Sequence, residues 1–314
     1  MGNQISQIFP PKPTFTESSL PDLKGKVYIV TGASAGVGKE LARLLYSRNG
    51  TVYLAARNAE KTQSAIDWIA QSHPSSSGAL HFLKLDLNDL EGIKPSVQDF
   101  LSKEKSLDVL FNNAGVMIPP KGSVTKQGHE LQLGTNCLAP FLFTKLLTPL
   151  LIATAKASAP GSVRVVWVSS SAAHMIAPRN GVDMSNLTYE TDKSDMVKYG
   201  VSKGGNVLHA QEYRRRFGGE GVVSVALNPG NLKTELARHA SSLQEFLIQW
   251  MLYPAVNGAY TELYAGLAPE VKDLKESEWV VPFGRVMPLR KDYVGGKTAG
   301  EFWEWSERET ERYA

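Results

Sequence analysis

With 314 residues the chain exceeds one average domain, yet open α/β sheets of this size often form a single unit, and nothing in the sequence reads as a dividing linker. Its 34 basic and 31 acidic residues leave a net charge of +3, which gives no footing for a nucleic-acid partner. The single cysteine, Cys137, excludes an intramolecular disulfide and fits a reducing, cytoplasmic setting.

Residues 1–21 read as an irregular arm, because Pro10, Pro11 and Pro13 oppose regular structure, and residues 22–314 read as one domain. The opening Met1-Gly2-Asn3-Gln4-Ile5-Ser6 fits the pattern for myristoylation at Gly2, although a plain leader reads equally well. One acyl chain would give only weak, reversible membrane association. The sequence shows neither a run of about 18 apolar residues nor a secretory signal.

Order begins near Lys26. Val27-Tyr28-Ile29-Val30 has the apolar, β-rich character of a buried parallel strand, and it runs into Thr31-Gly32-Ala33-Ser34-Ala35-Gly36-Val37-Gly38. A helix follows, with Val37, Leu41, Leu44 and Leu45 on one face and Asn49-Gly50 as its stop. Strand, glycine turn and helix together make a dinucleotide-binding entry, since glycines let backbone amides approach a pyrophosphate at a helix amino terminus.

The second strand, Thr51 to Ala56, ends beside Arg57. An NAD site usually places an acid there for the ribose 2′-hydroxyl, whereas an arginine suits a 2′-phosphate. Ala56 and Arg57 therefore favour NADP(H); alternatively, Arg57 simply opens a solvated helix capped by Asn58. A third strand, Leu80 to Leu85, delivers Asp86 and Leu87 either to an adenine site or to a turn. The fourth, Leu107 to Phe111, leads into Asn112-Asn113-Ala114-Gly115, whose amides can tie a strand end and whose small residues admit close approach.

From Val124 to Lys156 the pattern is helical, and the interior Asn136 marks a bend, a bound water or a satisfied core amide. The fifth strand, Ser162 to Val168, carries Ser169-Ser170-Ser171 at its carboxyl end, where ligands bind in open α/β sheets. After a loop-like stretch up to Lys198 comes Tyr199-Gly200-Val201-Ser202-Lys203. Residues four apart share a helix face, so Lys203 lies beneath the Tyr199 hydroxyl and is expected to lower its pKa toward a working acid and base. Gly204-Gly205 inside that helix implies close packing against a neighbour. A sixth strand, Val222 to Leu227, precedes Asn228-Pro229-Gly230. The stretch from Asn231 to Pro254, with Leu243, Phe246, Leu247, Trp250, Met251 and Leu252, reads as a substrate lid, a core helix or a subunit contact. A seventh strand surrounds Val280-Val281, ahead of a polar, aromatic tail of no legible role.

Thr31-Gly32-x-x-x-Gly36-x-Gly38, Asn112-Asn113-Ala114-Gly115, Asn136, Val168-Ser169-Ser170, Tyr199-x-x-x-Lys203 and Pro229-Gly230-x-x-x-Thr234 stand in the order found in the short-chain dehydrogenase/reductases, and from Lys26 to Ala268 the chain resembles that family. Within it, the long stretch between serine and tyrosine is most similar to the retinol-dehydrogenase-like branch, which has fungal members. The resemblance implies a Rossmann fold: a doubly wound parallel sheet of about seven strands with helices on both faces. It implies hydride exchange between C4 of a nicotinamide and a carbonyl or alcohol carbon, with no metal. Tyr199 would serve as acid and base, Lys203 would lower its pKa and bind the nicotinamide ribose, Ser170 would align the substrate oxygen, and Asn136 would hold a relay water; Ser169 and Ser171 stand by if the register shifts. Phosphate contacts would come from Gly32, Ser34, Ala35, Gly36, Val37 and Gly38, with Asn113, Ala114, Gly115, Pro229, Gly230, Leu232 and Thr234 also against the cofactor. The expected reaction is NADP(H)-dependent interconversion of an alcohol with a ketone or aldehyde, on a hydrophobic substrate if the 231–254 stretch is a lid. A nucleotide-binding regulatory protein or a same-fold epimerase or dehydratase are the rival readings. Family likeness further implies a homodimer or homotetramer, with a monomer left open.

Overall fold

The computed structural model describes residues 2–233 and 252–314. Eight strands form one sheet in the order β3-β2-β1-β4-β5-β6-β7-β8: β1 Val27–Thr31, β2 Thr51–Ala56, β3 Ala79–Lys84, β4 Val109–Asn112, β5 Arg164–Val168, β6 Val223–Leu227, β7 Glu278–Val281 and β8 Arg285–Pro288. The first seven run parallel, and β8 turns back antiparallel on β7, in register Val280 with Val286. The sequence reading missed this last strand because it folds as a hairpin partner of β7 and carries no apolar run of its own.

Alternation along each strand divides the core into two layers. Val27 and Ile29 join Phe141, Leu147, Val207, Tyr213 and Phe302 on one face, packed by the helices Ile93–Lys103, Leu131–Lys156, Asp195–Phe217 and Thr298–Thr310. Tyr28 and Val30 join Leu41, Leu44, Ile69, Ala259 and Leu263 on the other, packed by Gly36–Tyr46, Ala59–Ser72 and Ala255–Leu267. The chain leaves β1 toward β2 and β3, then crosses back to place β4 on the opposite side of β1. That reversal opens a crevice at the carboxyl ends of β1 and β4, the place where doubly wound sheets bind ligands.

Several local expectations are corrected. Residues Gly2–Ile8 form a helix rather than an irregular arm, and it docks on the sheet: Asn228 Nδ2 donates to the buried Gln7 Oε1 at 3.0 Å, and Arg285 Nη2 donates to the Ser6 carbonyl at 2.7 Å. The prolines act only beyond it. The long helix starts at Leu131, not near Val124, because the Glu130 carboxylate caps the Leu133 amide at 2.8 Å. This Leu131–Lys156 segment is long and apolar enough by composition to cross a bilayer, yet about two-thirds of its most apolar window is buried inside the protein. The tail has a clear job as well. Phe302 stacks on His209 at 4.7 Å and Trp303 meets Phe141 edge-on at 4.7 Å, so the last helix closes one core layer. The tail also holds the stretch after Ser170, through Arg290 Nη1 on the Ala177 carbonyl at 3.0 Å and the Tyr293 hydroxyl on the Ala173 carbonyl at 2.7 Å.

The paired glycines in the Asp195–Phe217 helix mark close packing, as their position implied. A Cβ on Gly204 would collide with the Gly181 backbone, and one on Gly205 would stand 2.7 Å from Cys137 Sγ. Gly204→Ala should therefore lower the melting temperature despite alanine's better helix propensity, by a net of about 1–3 kcal/mol, since overpacking against backbone cannot relax cheaply. Gly219→Ala, with nothing within 4 Å, is the control in the same thermal melts. Equal melting of both variants would contradict the packing account.

Candidate active site

The crevice is built from its floor upward. Thr31, the last residue of β1, ties the two sides together: the Ala114 amide donates to Thr31 Oγ1 at 2.9 Å, the hydroxyl donates to the Phe111 carbonyl at 3.2 Å, and Asn113 Nδ2 donates to the Thr31 carbonyl at 2.7 Å. These bonds pull the β4 end against the glycine turn. Gly32 and Gly36 take φ of +71° and +56°, which other residues adopt only under strain, and a Cβ on Gly38 would lie 2.6 Å from Asn113 Nδ2. The turn thus hands the chain straight into the helix Gly36–Tyr46, whose N-cap residue, Ala35, offers no side chain to cap the first amides. Such amides and the helix dipole favour an anion.

A cleft of about 620 Å³ follows from there. Gly32, Ser34, Ala35, Gly36, Val37, Arg57, Asp86, Leu87, Asn113, Ala114, Gly115, Ser170, Tyr199, Lys203, Pro229, Gly230 and Leu232 all line it. Gly38 does not line it but packs behind the turn, and Thr234 lies outside the described residues, as does most of the stretch read as a lid. Arg57 is exposed at the end of β2, and Lys61 one turn further along joins it on the cleft wall. Asp86 stands in a turn, where its Oδ1 accepts the Asn88 amide at 3.0 Å, and it also borders the cleft.

The far end of the cleft holds Ser170, Tyr199 and Lys203. Lys203 is 4 % exposed, and its Nζ donates to the Val168 carbonyl at 2.9 Å, beside Asn206 Nδ2 on the same oxygen at 3.1 Å. Ser169 borders the cleft but spends its hydroxyl on the Lys203 carbonyl at 2.7 Å; Ser171 opens the short helix Ser171–Met175. Ser170 alone of the triplet presents its hydroxyl to Tyr199. Asn136 sits in a π-helical turn, Gly134–Leu138, with its carboxamide bonded to both backbone groups of Val116 at 2.8 and 3.0 Å and to Ser202 Oγ at 2.9 Å. Its amide hydrogens are thereby spent. Its Oδ1 and the Lys203 ammonium converge on one point, 3.2 and 3.3 Å from where a Cβ on Gly115 would stand.

The expected acidification of Tyr199 is not found. Burial pushes its phenol up to about 12, and the Ser170 hydrogen bond opposes this only in part. Burial likewise drives the Lys203 ammonium down to about 8. The low dielectric penalises each lone charge more than helical spacing alone can offset, and Lys203 Nζ stands 5.9 Å from the tyrosine ring centre, anchored to Val168. Sequence reasoning overlooked Thr31, Asn206 and Ser202. A signal existed for the last two: Tyr199, Ser202, Lys203 and Asn206 form one polar stripe at helical spacing, and all four are buried.

The family model for short chain dehydrogenase matches residues 26–245. A short-chain dehydrogenase/reductase of Phomopsis amygdali is 51% identical over 325 residues, covering 99% of this chain and 97% of that one. The short-chain dehydrogenase/reductase pkfC of Emericella nidulans is 49% identical over 305 residues, with 96% and 97% covered. Among solved structures, a putative uncharacterized protein from Mycobacterium Paratuberculosis superposes with a TM-score of 0.71 at 29% identity, covering 95% of this chain and 97% of that one.

Gly38→Ala should push Asn113 off the Thr31 carbonyl and open the β1–β4 clamp. The expected result is a lower melting temperature together with about tenfold weaker binding of NADPH and NADH alike, which is roughly 1.4 kcal/mol. Fluorescence titration checks it, and unchanged affinity for both dinucleotides would show the clamp to be irrelevant to binding.

Proposed function

The chain belongs to the short-chain dehydrogenase/reductase family, whose members use NAD(P)(H), and from that premise we propose an NADP(H)-dependent oxidoreductase that interconverts an alcohol and a ketone or aldehyde. The observation that carries this reading is the meeting of Ser170, Tyr199 and Lys203 at one end of the cleft whose other end is the glycine turn. The residues suit a dinucleotide: positive-φ glycines and uncapped amides for the pyrophosphate, and Arg57 in place of an acid for a 2′-phosphate. Asn113, Ala114, Gly115, Pro229, Gly230 and Leu232 would hold the rest of it.

When bound, the nicotinamide supplies or takes the hydride at the substrate carbon. In reduction, Ser170 donates a hydrogen bond to the substrate oxygen, and the Tyr199 hydroxyl gives that oxygen its proton as negative charge develops there. Burial suits this direction, because it keeps the phenol protonated at neutral pH. The resulting phenolate is stabilised by the Lys203 ammonium and recovers a proton by way of the point where Lys203 and Asn136 Oδ1 converge. Oxidation runs the same path backwards. Val116, Met117, Pro119, Pro120 and Leu131 line the adjoining wall, which supports an apolar substrate. The long connection from Ser170 to Tyr199 supports the retinol-dehydrogenase-like placement.

A panel of ketones, aldehydes and alcohols, followed by the absorbance of reduced nicotinamide with both cofactors, tests the proposal. Tyr199→Phe should keep NADPH binding and lose at least about hundredfold in kcat. Undiminished turnover would remove Tyr199 from the mechanism. Arg57→Asp should weaken NADPH about tenfold or more and shift preference toward NADH, since a guanidinium–phosphate contact becomes a repulsion. Unchanged NADPH affinity would count against the phosphate assignment.

A further inference from the structure

The segment that follows Ser170 is held from outside by the tail. Arg290, two residues past β8, makes a hydrogen bond with each of its five donors. Nη1 donates to the His174 and Ala177 carbonyls at 3.1 and 3.0 Å, and Nη2 to the Pro178 carbonyl at 2.5 Å. Nε and Nη2 also grip the two carboxylate oxygens of Asp292, at 2.7 and 2.9 Å. Asp292 Oδ2 in turn accepts the Asn180 amide at 2.5 Å, and the Tyr293 hydroxyl donates to the Ala173 carbonyl at 2.7 Å. The Arg290 and Asp292 side chains are only 21 % and 20 % exposed, so water competes weakly for these contacts. Three tail residues thus fasten the backbone from Ala173 to Asn180.

What they fasten leads directly to the cleft. The helix Ser171–Met175 has five residues, too few to keep its shape alone. Ser170 is its amino-terminal cap: Oγ accepts the Ala172 amide at 3.2 Å, which leaves the hydroxyl hydrogen to be donated in the cleft that Ser170 lines. At the other end the last carbonyls lack helical partners, and Arg290 takes that of His174. On its far side the same stretch lies against the Asp195–Phe217 helix. A Cβ on Gly200 would stand 2.9 Å from the Ala177 nitrogen, and one on Gly204 would strike the Gly181 carbonyl. These glycines directly follow Tyr199 and Lys203. We propose that Arg290 is a positioning residue: with Asp292 and Tyr293 it braces the segment 173–180 against the helix that carries Tyr199 and Lys203, and so fixes where the Ser170 hydroxyl meets the substrate oxygen. This rests on the oxidoreductase reading of the site. Only a planar fork reaches three carbonyls and a carboxylate together; a lysine carries its donors on one nitrogen. Among the described residues none of the three tail side chains lines the cleft, so the brace acts on alignment at the serine and leaves the dinucleotide end untouched.

The test uses the full chain with Arg290→Lys and, should that fold poorly, Tyr293→Phe, which removes one bond of the brace. The Kd for NADPH should stay within about twofold, while kcat should fall about tenfold or more for Arg290→Lys and about threefold for Tyr293→Phe, since a small misplacement of an aligning group is costly. A folded variant that keeps full kcat overturns the proposal, whatever its melting temperature. The second readout is a cycle with Ser170→Ala. In that background the same tail substitution should cost less than about twofold in kcat, because the group it positions is gone; a penalty as large as in the unmodified chain overturns the route through Ser170. Absence of turnover by the unmodified chain on every substrate would instead sink the oxidoreductase reading. Amide hydrogen exchange then decides the brace by itself: the Ala172, Ala173 and Ala177 amides, bonded to Ser170 Oγ and to the Ser170 and Ala172 carbonyls, should exchange about tenfold faster in the variant. Equal protection in both chains would show that the tail does not hold this segment.

Discussion

The bond from Lys203 Nζ to the Val168 carbonyl, 2.9 Å long and almost wholly buried, is the constraint on which the site depends. The last carbonyl of β5 has no further strand partner, and the ammonium and Asn206 share it, joining the Asp195–Phe217 helix to the sheet. Ser169 completes the join from the strand side through the Lys203 carbonyl. Once these bonds set the helix at that height, Tyr199 must stand over Ser170, since four residues of helix rise only about 6 Å. A solvated lysine would leave the tyrosine free to turn outward.

Around this anchor, small residues and backbone groups do most of the shaping. Thr31 and Asn113 pin β4 to the glycine turn, while Gly115 leaves open the point where Asn136 and Lys203 converge. The same economy appears at Gly204 and Gly205, which let the Gly181 backbone and the Cys137 thiol lie directly against the Asp195–Phe217 helix. The cleft is thus a consequence of close backbone approach. Side chains that would fill it are excluded by turns at positive φ and by β4 ending at the switch point.

Burial gives the chemistry its character. Water is kept from Lys203 and Tyr199, so each resists carrying charge alone, and the phenol stays protonated where spacing on a helix would suggest a phenolate. A proton transfer in such a place follows the arrangement of neighbouring dipoles and charges more than the intrinsic acidity of any one group. The Val168 carbonyl, Ser170 hydroxyl and Asn136 carboxamide form that arrangement here.

Local patterns were enough for the parallel strands, the glycine turn, the order of the motifs and the group Ser170, Tyr199 and Lys203, because periodicity and turn chemistry act over a few residues. Three-dimensional packing alone decided which serine hydroxyl is spent on the Lys203 carbonyl, that residues 2–8 form a docked helix, and that β8 pairs with β7. It also reversed the expected acidity of Tyr199. The reason is one of range: hydrophobic pattern and backbone preference are written in neighbouring residues, whereas desolvation and the partner of a buried charge are set by segments tens of residues away, which meet only when the sheet is assembled.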